Sequence, residues 1–320
     1  MKSIKLNGKD LSQITLGTVQ LGMNYGIANL DGQPDTQQSY GMLKSALDNG
    51  ISSLDTARAY GNSENVIGGF LKQNNTSPIP FITSKLKIAL PSNASKKDVE
   101  TTMFDSVETS LSNLGINKLD CLMLHAAGDM TCYGDIVPKT LEKMIKEGYT
   151  SMAGVSVYQS EELDIMLKND LYQATQIPMS IFDQNLIYKG YLKKLHERNI
   201  TVFVRSVFLQ GIFFLRPEDI TDPILLEYAK PYIEKLHTYC QEENMSIAEI
   251  AISYIRDVEG VTSLVLGADT KDQVLENIKY INAPPISDKT RYFLQEDFKS
   301  VNIQKIMEVL SRPKKQKSNY

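Results

Sequence analysis

The sequence has little of what would place it in several common classes of protein. Only three of its 320 residues are cysteines, and Cys121, Cys132 and Cys240 form neither a CxxC motif nor a disulfide framework. No apolar run is long enough to cross a bilayer, and the N-terminus lacks the apolar stretch of a signal peptide. The formal net charge is only −4, so no strong field draws the chain to nucleic acid or to an anionic membrane. We therefore expect a cytoplasmic protein without a membrane or nucleic-acid partner.

What the sequence does contain is a regular alternation of short apolar runs and helix-length segments, in an ordinary globular composition with 42% hydrophobic and 22% charged residues. Short apolar runs bounded by turn residues predict strands. The runs are ITLG (14–17), ISSLD (51–55), PFITSK (80–85), LDCLMLH (119–125), MAGVSV (152–157), YQATQIP (172–178), ITVFVRS (200–206) and TSLVLG (262–267).

The segments between these runs carry helical periodicity. Apolar residues recur at helical spacing from Val99 to Leu114, and Gly115 follows as a C-cap. The segment SEELDIMLKND predicts a helix with an acidic first turn, and SIAEIAISYIRDVEG predicts an amphipathic helix that ends on Gly260.

Eight β-then-α units predict a parallel sheet, and eight is the number of strands that closes a barrel. The rival is a doubly wound open sheet, which usually carries a GxGxxG turn after its first strand; here that turn reads LGTVQLGMNYG. We therefore predict a single (β/α)8 TIM barrel over residues 1–310. An N-terminal hairpin around Asn7-Gly8 precedes it, a helical extension ends it, and residues 311–320 form a basic, flexible tail.

Four polar side chains stand at or just after the ends of three successive strands. Asp55 ends the second strand, Tyr60 follows in the loop, Lys85 ends the third strand and His125 ends the fourth. Active sites of such barrels lie at the C-terminal ends of the strands. We therefore expect these four groups to converge on the mouth of the barrel.

Their chemistry is that of a positioned proton donor. A free tyrosine has a pKa of about 10, and a lysine ammonium nearby favours phenolate and lowers that pKa. Asp55 would hold Lys85 charged, and His125 would hydrogen-bond the phenol or a substrate oxygen. The set contains no good covalent nucleophile and no metal-ligand spacing. The attacking species must therefore come from a cofactor, and hydride is the natural candidate.

The stretch LDTARAYGNSENVIG (54–68) resembles the signature of the aldo-keto reductase family, and Asp55, Tyr60, Lys85 and His125 match its catalytic tetrad. The resemblance extends from the hairpin to about residue 283 and includes GVSVY, RSVFLQG and LGADTKDQVLENI. It implies a (β/α)8 barrel that binds a nicotinamide dinucleotide across its mouth. In that family the tyrosine is the general acid, the lysine tunes it, the aspartate supports the lysine and the histidine orients the carbonyl.

The resemblance also implies a set of cofactor contacts. Matched by role, Gly17 and Thr18 lie beneath the nicotinamide ribose, Ser156 and Gln176 hydrogen-bond the carboxamide, Ser206 and Gly211 belong to the loop over the pyrophosphate, and Gln273, Glu276 and Asn277 bind adenosine. Asp55, Arg205, Phe208 and Gly267 complete the predicted cofactor-binding set.

Three departures from the family pattern bear on the cofactor and the substrate. Val157 replaces a residue that often contacts the carboxamide. Arg205 replaces an aromatic ring that stacks on the nicotinamide; its guanidinium can stack as well, or hold an anionic part of the substrate. Members that prefer NADPH carry a basic residue near position 273, whereas this chain has Gln273, with Asp269 close by and Lys271 as an offsetting charge. NADPH is the family default, and NADH is the alternative.

The substrate pocket is expected to include Met23, Asn24 and Tyr25 after the first strand, together with the loop after His125 and the segment from Phe208 to Phe214. This mixture suits a polyhydroxylated or otherwise polar carbonyl compound. The chain resembles bacterial members linked to carbohydrate and surface-polysaccharide metabolism. A monomer or a homodimer is expected. The alternatives are a cofactor-binding redox sensor and a sugar epimerase or dehydratase that uses NAD transiently.

Overall fold

The computed structural model describes residues 1–25 and 32–312 and contains two sheets. The strands are β1 (Ser3–Leu6), β2 (Lys9–Ser12), β3 (Ile14–Gly17), β4 (Ser53–Asp55), β5 (Phe81–Leu86), β6 (Cys121–Leu124), β7 (Ala153–Ser156), β8 (Tyr172–Pro178), β9 (Thr201–Arg205) and β10 (Ser263–Gly267). β3 to β10 are parallel and close into a barrel in chain order, with β10 pairing β3. All eight predicted strands form, and the predicted (β/α)8 fold is confirmed.

Helices surround this barrel. They are α1 (Val19–Gly22), α2 (Thr36–Asp48), α3 (Ser63–Gln73), α4 (Lys96–Leu114), α5 (Asp129–Cys132), α6 (Ile136–Glu147), α7 (Ser160–Met166), α8 (Asn185–Tyr188), α9 (Tyr191–Glu197), α10 (Pro223–Tyr228), α11 (Lys230–Glu243), α12 (Ile247–Arg256), α13 (Lys271–Ile281), α14 (Asp288–Phe298) and α15 (Ile303–Leu310). Short 3₁₀ segments span Leu209–Phe214 and Pro217–Asp219. Within the described part of the chain, no helix is both long and apolar enough to span a membrane.

Local sequence signals account for several helix ends. Ser95 caps α4 by accepting a hydrogen bond from the Asp98 amide, and Gly115 ends it in the left-handed conformation at φ 65°. The predicted end of α12 was wrong, because the helix stops at Arg256 and residues 257–260 turn toward β10. The C-terminal extension is two helices, α14 and α15, rather than one.

The hairpin β1–β2 closes the bottom of the barrel. Asn7 and Gly8 both have positive φ, 49° and 82°, as a tight two-residue hairpin turn requires. Lys9 on β2 donates to the Asp120 carboxylate at 2.8 Å and to the Pro80 carbonyl at 3.2 Å, which ties the hairpin to the barrel. At the other end of the chain, Arg312 forms an ion pair with Asp222. The rest of the predicted tail, residues 313–320, lies outside the described residues.

Candidate active site

Three neighbouring strands bring the predicted polar groups to the mouth of the barrel. Asp55 is the last residue of β4, Lys85 is the last but one of β5, and His125 follows β6 directly. The Lys85 Nζ donates to both Asp55 carboxylate oxygens, at 2.6 and 2.7 Å, and lies 3.4 Å from the Tyr60 hydroxyl. The ammonium is therefore shared between a carboxylate and a phenol.

The aspartate in turn is held by groups from other strands. Gln176 on β8 donates its Nε2 to Asp55 Oδ1 at 2.8 Å. The backbone carbonyl of Asp55 accepts from the Thr18 amide at 3.0 Å and from the Thr18 hydroxyl at 2.8 Å. Because both the side chain and the main chain of Asp55 are satisfied, the carboxylate has one defined orientation toward Lys85.

His125 completes the group from the side of β6. Its amide donates to the Leu86 carbonyl at 2.7 Å. The imidazole lies edge-on to the Tyr60 ring, with centroids 5.7 Å apart and an interplanar angle of 85°. The structure thus brings the predicted tetrad together.

Burial dominates the electrostatics of these groups. Burial raises the pKa of Tyr60 above its ordinary value, outweighing the lowering effect of Lys85. The expectation of a net lowered tyrosine pKa was therefore wrong, because desolvation of the phenolate exceeds its attraction to the ammonium. Burial alone would lower the pKa of Lys85, but Asp55 and Tyr60 together hold that pKa above its usual value.

The pKa of His125 shifts downward, opposite to the pKa values of Tyr60 and Lys85. Burial, reinforced by the charge of Lys85, lowers the pKa of His125 to about 4. The imidazole is therefore neutral at physiological pH. A neutral imidazole can donate one hydrogen bond to a carbonyl oxygen without carrying a charge.

A cavity of about 560 Å³ opens beside the tetrad and is lined by Asp55 and Tyr60. This volume falls in the range of small-molecule sites. Most of the predicted site residues line this cavity. They are Gly17, Thr18, Tyr25, Asp55, Tyr60, Gln176, Arg205, Ser206, Phe208, Gly211, Gly267, Gln273, Glu276 and Asn277. The cavity thus runs from the ends of the barrel strands to the first turns of α13.

Some predicted site residues lie elsewhere. Ser156 is buried at the end of β7, where it pairs with Gln176, and does not line the cavity. Met23 and Asn24 are exposed and do not line it, whereas Tyr25 does. The predicted roles of Ser156, Met23 and Asn24 stay predictions. The chain after Tyr25, residues 26–31, lies outside the described residues.

Sequence reasoning missed several residues that line the cavity. They are Val19, Gln20, Val207, Ala248, Val265, Leu266 and Tyr280. Gln210 and Phe214 belong to the predicted pocket segment and do line the cavity, as does Asp269. Gln20 lies within a turn that was already identified, so its position gave a signal, but a single sequence does not show which turn residues face inward. Ala248 comes from α12, and only the tertiary structure brings it here.

The cavity has features that fit a dinucleotide. Leu209, Gln210 and Gly211 have consecutive positive φ values of 46°, 57° and 92°, and Ser206 has φ 64°. Left-handed non-glycine residues are uncommon and concentrate at ligand clamps. At the far wall, the N-terminus of α13 is capped by Thr270, whose hydroxyl accepts from the Gln273 amide at 3.2 Å, and helix N-termini favour phosphate. The residues that would hold the cofactor are therefore present.

Charge is distributed unevenly along this cavity. Asp269 and Glu276 line the end formed by α13, whereas Arg205, the cationic residue among the lining side chains, belongs to β9. Lys271, predicted to offset Asp269, is exposed and is not among the lining residues. Two carboxylates therefore line the cavity at its α13 end.

A (β/α)8 barrel with a buried lysine–aspartate pair, a tyrosine beside it and an adjoining cavity is the arrangement that the sequence resemblance implies for an oxidoreductase acting on carbonyl compounds. The chain belongs to the aldo/keto reductase family, whose model matches residues 13–292. It is therefore an enzyme of a family that uses nicotinamide cofactors on small carbonyl substrates.

Relatives and a solved structure agree with this assignment. The chain is 24% identical to the uncharacterized oxidoreductase YqkF of Bacillus subtilis, covering 93% of this chain and 97% of that protein. It is 22% identical to L-glyceraldehyde 3-phosphate reductase of Escherichia coli (87% and 88% covered) and 24% identical to the NADH-specific methylglyoxal reductase of the same species (88% and 94%). The structure of aldo-keto reductase AKR11C1 from Bacillus halodurans aligns with a TM-score of 0.74 at 21% identity, over 92% of this chain and 96% of that one.

Proposed function

We propose that this protein reduces a small polar aldehyde or ketone to the alcohol with NADH, using Tyr60 as the general acid. The observation that carries the proposal is the Asp55–Lys85–Tyr60 chain of hydrogen bonds beside the cavity. Proton transfer from a positioned side chain of this kind contributes roughly 10²- to 10⁴-fold to a rate.

Each residue of the tetrad has a distinct task in this proposal. Tyr60, with its raised pKa, holds a proton at the hydroxyl oxygen and donates it to the carbonyl oxygen. Lys85 stabilises the phenolate left behind, and Asp55 with Gln176 fixes the lysine. Neutral His125 donates a hydrogen bond that orients the carbonyl. The nicotinamide, when bound, supplies the hydride.

The preference for NADH rests on the acidic end of the cavity. Asp269 and Glu276 line the wall at α13, where the resemblance places the adenosine. A 2′-phosphate there would face two carboxylates, which repel it, whereas the 2′- and 3′-hydroxyls of NADH can donate to them. One relative is named as NADH-specific, which supports the same choice.

The substrate class follows from the cavity walls and from the relatives. Tyr25, Phe208 and Phe214 give apolar surface, while Gln176 and Arg205 give polar contacts. Relatives are named for L-glyceraldehyde 3-phosphate, methylglyoxal, glyoxal and 6-dehydroglucose, all short or sugar-derived carbonyl compounds. We infer a substrate of that kind, encountered in the cytoplasm.

The test is the oxidation of NADH or NADPH, followed at 340 nm, with a panel of short aldehydes and aldoses. We expect turnover with NADH at a kcat/KM for the nucleotide at least tenfold that for NADPH. Absence of turnover with both nucleotides, together with tight nucleotide binding and a stable protein partner, would favour a redox sensor. Product formation without net change in the nucleotide would favour an epimerase or dehydratase.

A further inference from the structure

Arg205 is a cation at the wall of the cavity, and within the described part of the chain it forms no ion pair. It is the last residue of β9 and lines the same cavity as Tyr60. Its guanidinium donates to the Val157 carbonyl at 3.2 Å and lies 3.4 Å from the Ser206 hydroxyl. Among the described residues, no carboxylate oxygen comes within 4.0 Å of it. The carbonyl and the hydroxyl that it contacts are both neutral groups.

The position of this guanidinium is fixed by stacking. Its central carbon lies 4.2 Å from the centroid of the Tyr158 ring, which covers one face. A guanidinium carries five N–H donors in a planar fork. The two contacts with Val157 and Ser206 leave further N–H donors, and a planar guanidinium can contact a carboxylate or a phosphate in bidentate fashion.

A second cation, Lys87, follows the last residue of β5 and does not line the cavity. Lys87 is exposed, two residues beyond Lys85. Both Lys87 and Arg205 act electrostatically on His125, whose imidazole faces Tyr60. The nearby carboxylates have other partners: Asp129 accepts from the Ile88 amide at 3.2 Å, and Asp183 accepts from Asn185 at 3.1 Å. Neither lines the cavity.

We infer that Arg205 binds an anionic group of the substrate, so that the enzyme prefers carbonyl compounds carrying a carboxylate or a phosphate. The inference rests on the proposed carbonyl reduction and assigns the charge of its substrate. It also distinguishes two roles for Arg205, stacking on the nicotinamide and binding an anionic group of the substrate. Stacking on the nicotinamide would raise the rate with every substrate by the same factor. An anion held at Arg205 would serve charged substrates alone.

The experiment compares matched pairs of substrates that differ by one anionic group. Succinic semialdehyde is paired with butyraldehyde, and glyceraldehyde 3-phosphate with glyceraldehyde, so the two arms distinguish a carboxylate from a phosphate. The measured quantity is the ratio of kcat/KM for the charged substrate to that for the neutral one. We expect a wild-type ratio of roughly 10 to 100 in at least one pair, the range that one charged hydrogen-bonded contact supports.

The variants are Arg205→Gln, Arg205→Lys and Lys87→Gln, with Arg216→Gln as the matched control. Arg205→Gln should bring the ratio to within about twofold of unity, and Arg205→Lys should retain part of it because it keeps the charge but loses the fork. Lys87→Gln should lower the ratio only about two- to fivefold, because this exposed charge is screened by salt. Arg216 is an exposed arginine paired with Asp219 outside the cavity, and its replacement should leave the ratio unchanged.

A wild-type ratio near unity in both pairs would overturn the inference. So would an Arg205→Gln variant that loses both members of a pair by the same factor, since that result assigns Arg205 to the cofactor. NADH affinity, measured by fluorescence titration, should change less than about threefold in that variant. Absence of turnover with neutral and charged carbonyls alike would remove the proposed function and this inference together, whereas turnover with an unchanged ratio removes the inference alone.

Discussion

The two ends of the barrel each carry a cavity of about 560 Å³, and they differ in how their charges are held. The bottom cavity is lined by Lys5, Lys9 and Lys44, and each lysine forms an ion pair with an aspartate, at 2.8 to 2.9 Å. The pairs of Lys5 and Lys44 are open to water, whereas Asp120, the partner of Lys9, is buried. At the mouth, the Lys85 side chain is fully buried with Asp55, and Tyr60 lies against it. Equal volume therefore does not mean equal chemistry.

The difference shows what makes a charged pair reactive. Lys9 and Asp120 at the bottom also bond a backbone carbonyl and a backbone amide, so their hydrogen bonds only fasten the hairpin. Lys85, by contrast, also contacts the hydroxyl of Tyr60, a titratable residue that lines the cavity. In a water-poor setting such a contact is worth more than on the surface. Four predictions test this difference between the two ends.

The largest effect is expected from the phenol at the mouth. Tyr60→Phe should lower kcat/KM for carbonyl reduction by roughly 10²- to 10⁴-fold, because it removes the proton donor. Affinity for NADH, measured by fluorescence titration, should stay within about threefold. Tyr172→Phe is the matched control, since the Tyr172 hydroxyl is buried without a hydrogen-bond partner among the described groups and lies outside the cavity. Retention of most of the rate in Tyr60→Phe would refute the assigned acid.

The next effect comes from replacing one lysine at each end of the barrel by methionine. Lys85→Met should lower the free energy of unfolding by about 3–5 kcal/mol, because it leaves the Asp55 carboxylate buried without its cation. Lys5→Met should lower it by less than about 1 kcal/mol, since both Lys5 and its partner Asp10 are exposed. Urea titration measures both values. Similar losses in the two variants would contradict the contrast between a buried and a solvated pair.

A smaller effect is expected from the acidic wall at α13. Asp269→Asn should raise kcat/KM for NADPH relative to NADH by roughly tenfold, because it removes one of two charges that face a 2′-phosphate. Asp48→Asn is the control, since Asp48 lines the bottom cavity and pairs with Lys44. We expect no change of cofactor preference there. An unchanged preference in Asp269→Asn would place the adenosine elsewhere.

The smallest effect is a flat pH profile. The pKa of His125 is lowered to about 4 by burial, so the imidazole stays neutral above pH 5.5. The pKa of Tyr60 is raised, so the phenol keeps its proton through pH 9 and activity falls only above about pH 10. The kcat/KM for reduction should therefore vary less than about twofold between pH 5.5 and 9. A transition near pH 6.5 would show that His125 titrates in the free enzyme.

Local patterns predicted much of this molecule. The eight apolar runs became strands β3 to β10 with shifts of at most two residues at their ends, and Asn7-Gly8 and Gly115 marked a turn and a cap. The end of α12 was misplaced because a Gly at 260 suggested a cap, whereas the chain leaves the helix at Arg256 to reach β10. Hydrogen bonding within one segment sets the Asn7-Gly8 turn and the Gly115 cap. Packing against a neighbouring strand sets the end of α12.

Part of the candidate site could likewise be predicted from local sequence, and part could not. Asp55, Tyr60, Lys85 and His125 were found by their places at strand ends, because parallel strands deliver those ends to one mouth. The direction in which the Tyr60 pKa shifts was not predicted correctly, because it depends on how much water the folded barrel removes from the phenol. Nor did the chain order show that Tyr158 covers Arg205 or that Ala248 of α12 lines the cavity.

The sequence alone predicted the barrel from its alternating strands and helices, the four groups at its mouth from their places at strand ends, and the family from the resemblance of residues 54–68 to its signature. The tertiary structure set the balance of burial against charge, the two carboxylates that line the cavity at α13 and the position of the Arg205 guanidinium against Tyr158. Desolvation and Coulomb forces act through space among groups far apart in the chain, so only the folded arrangement sets their sum.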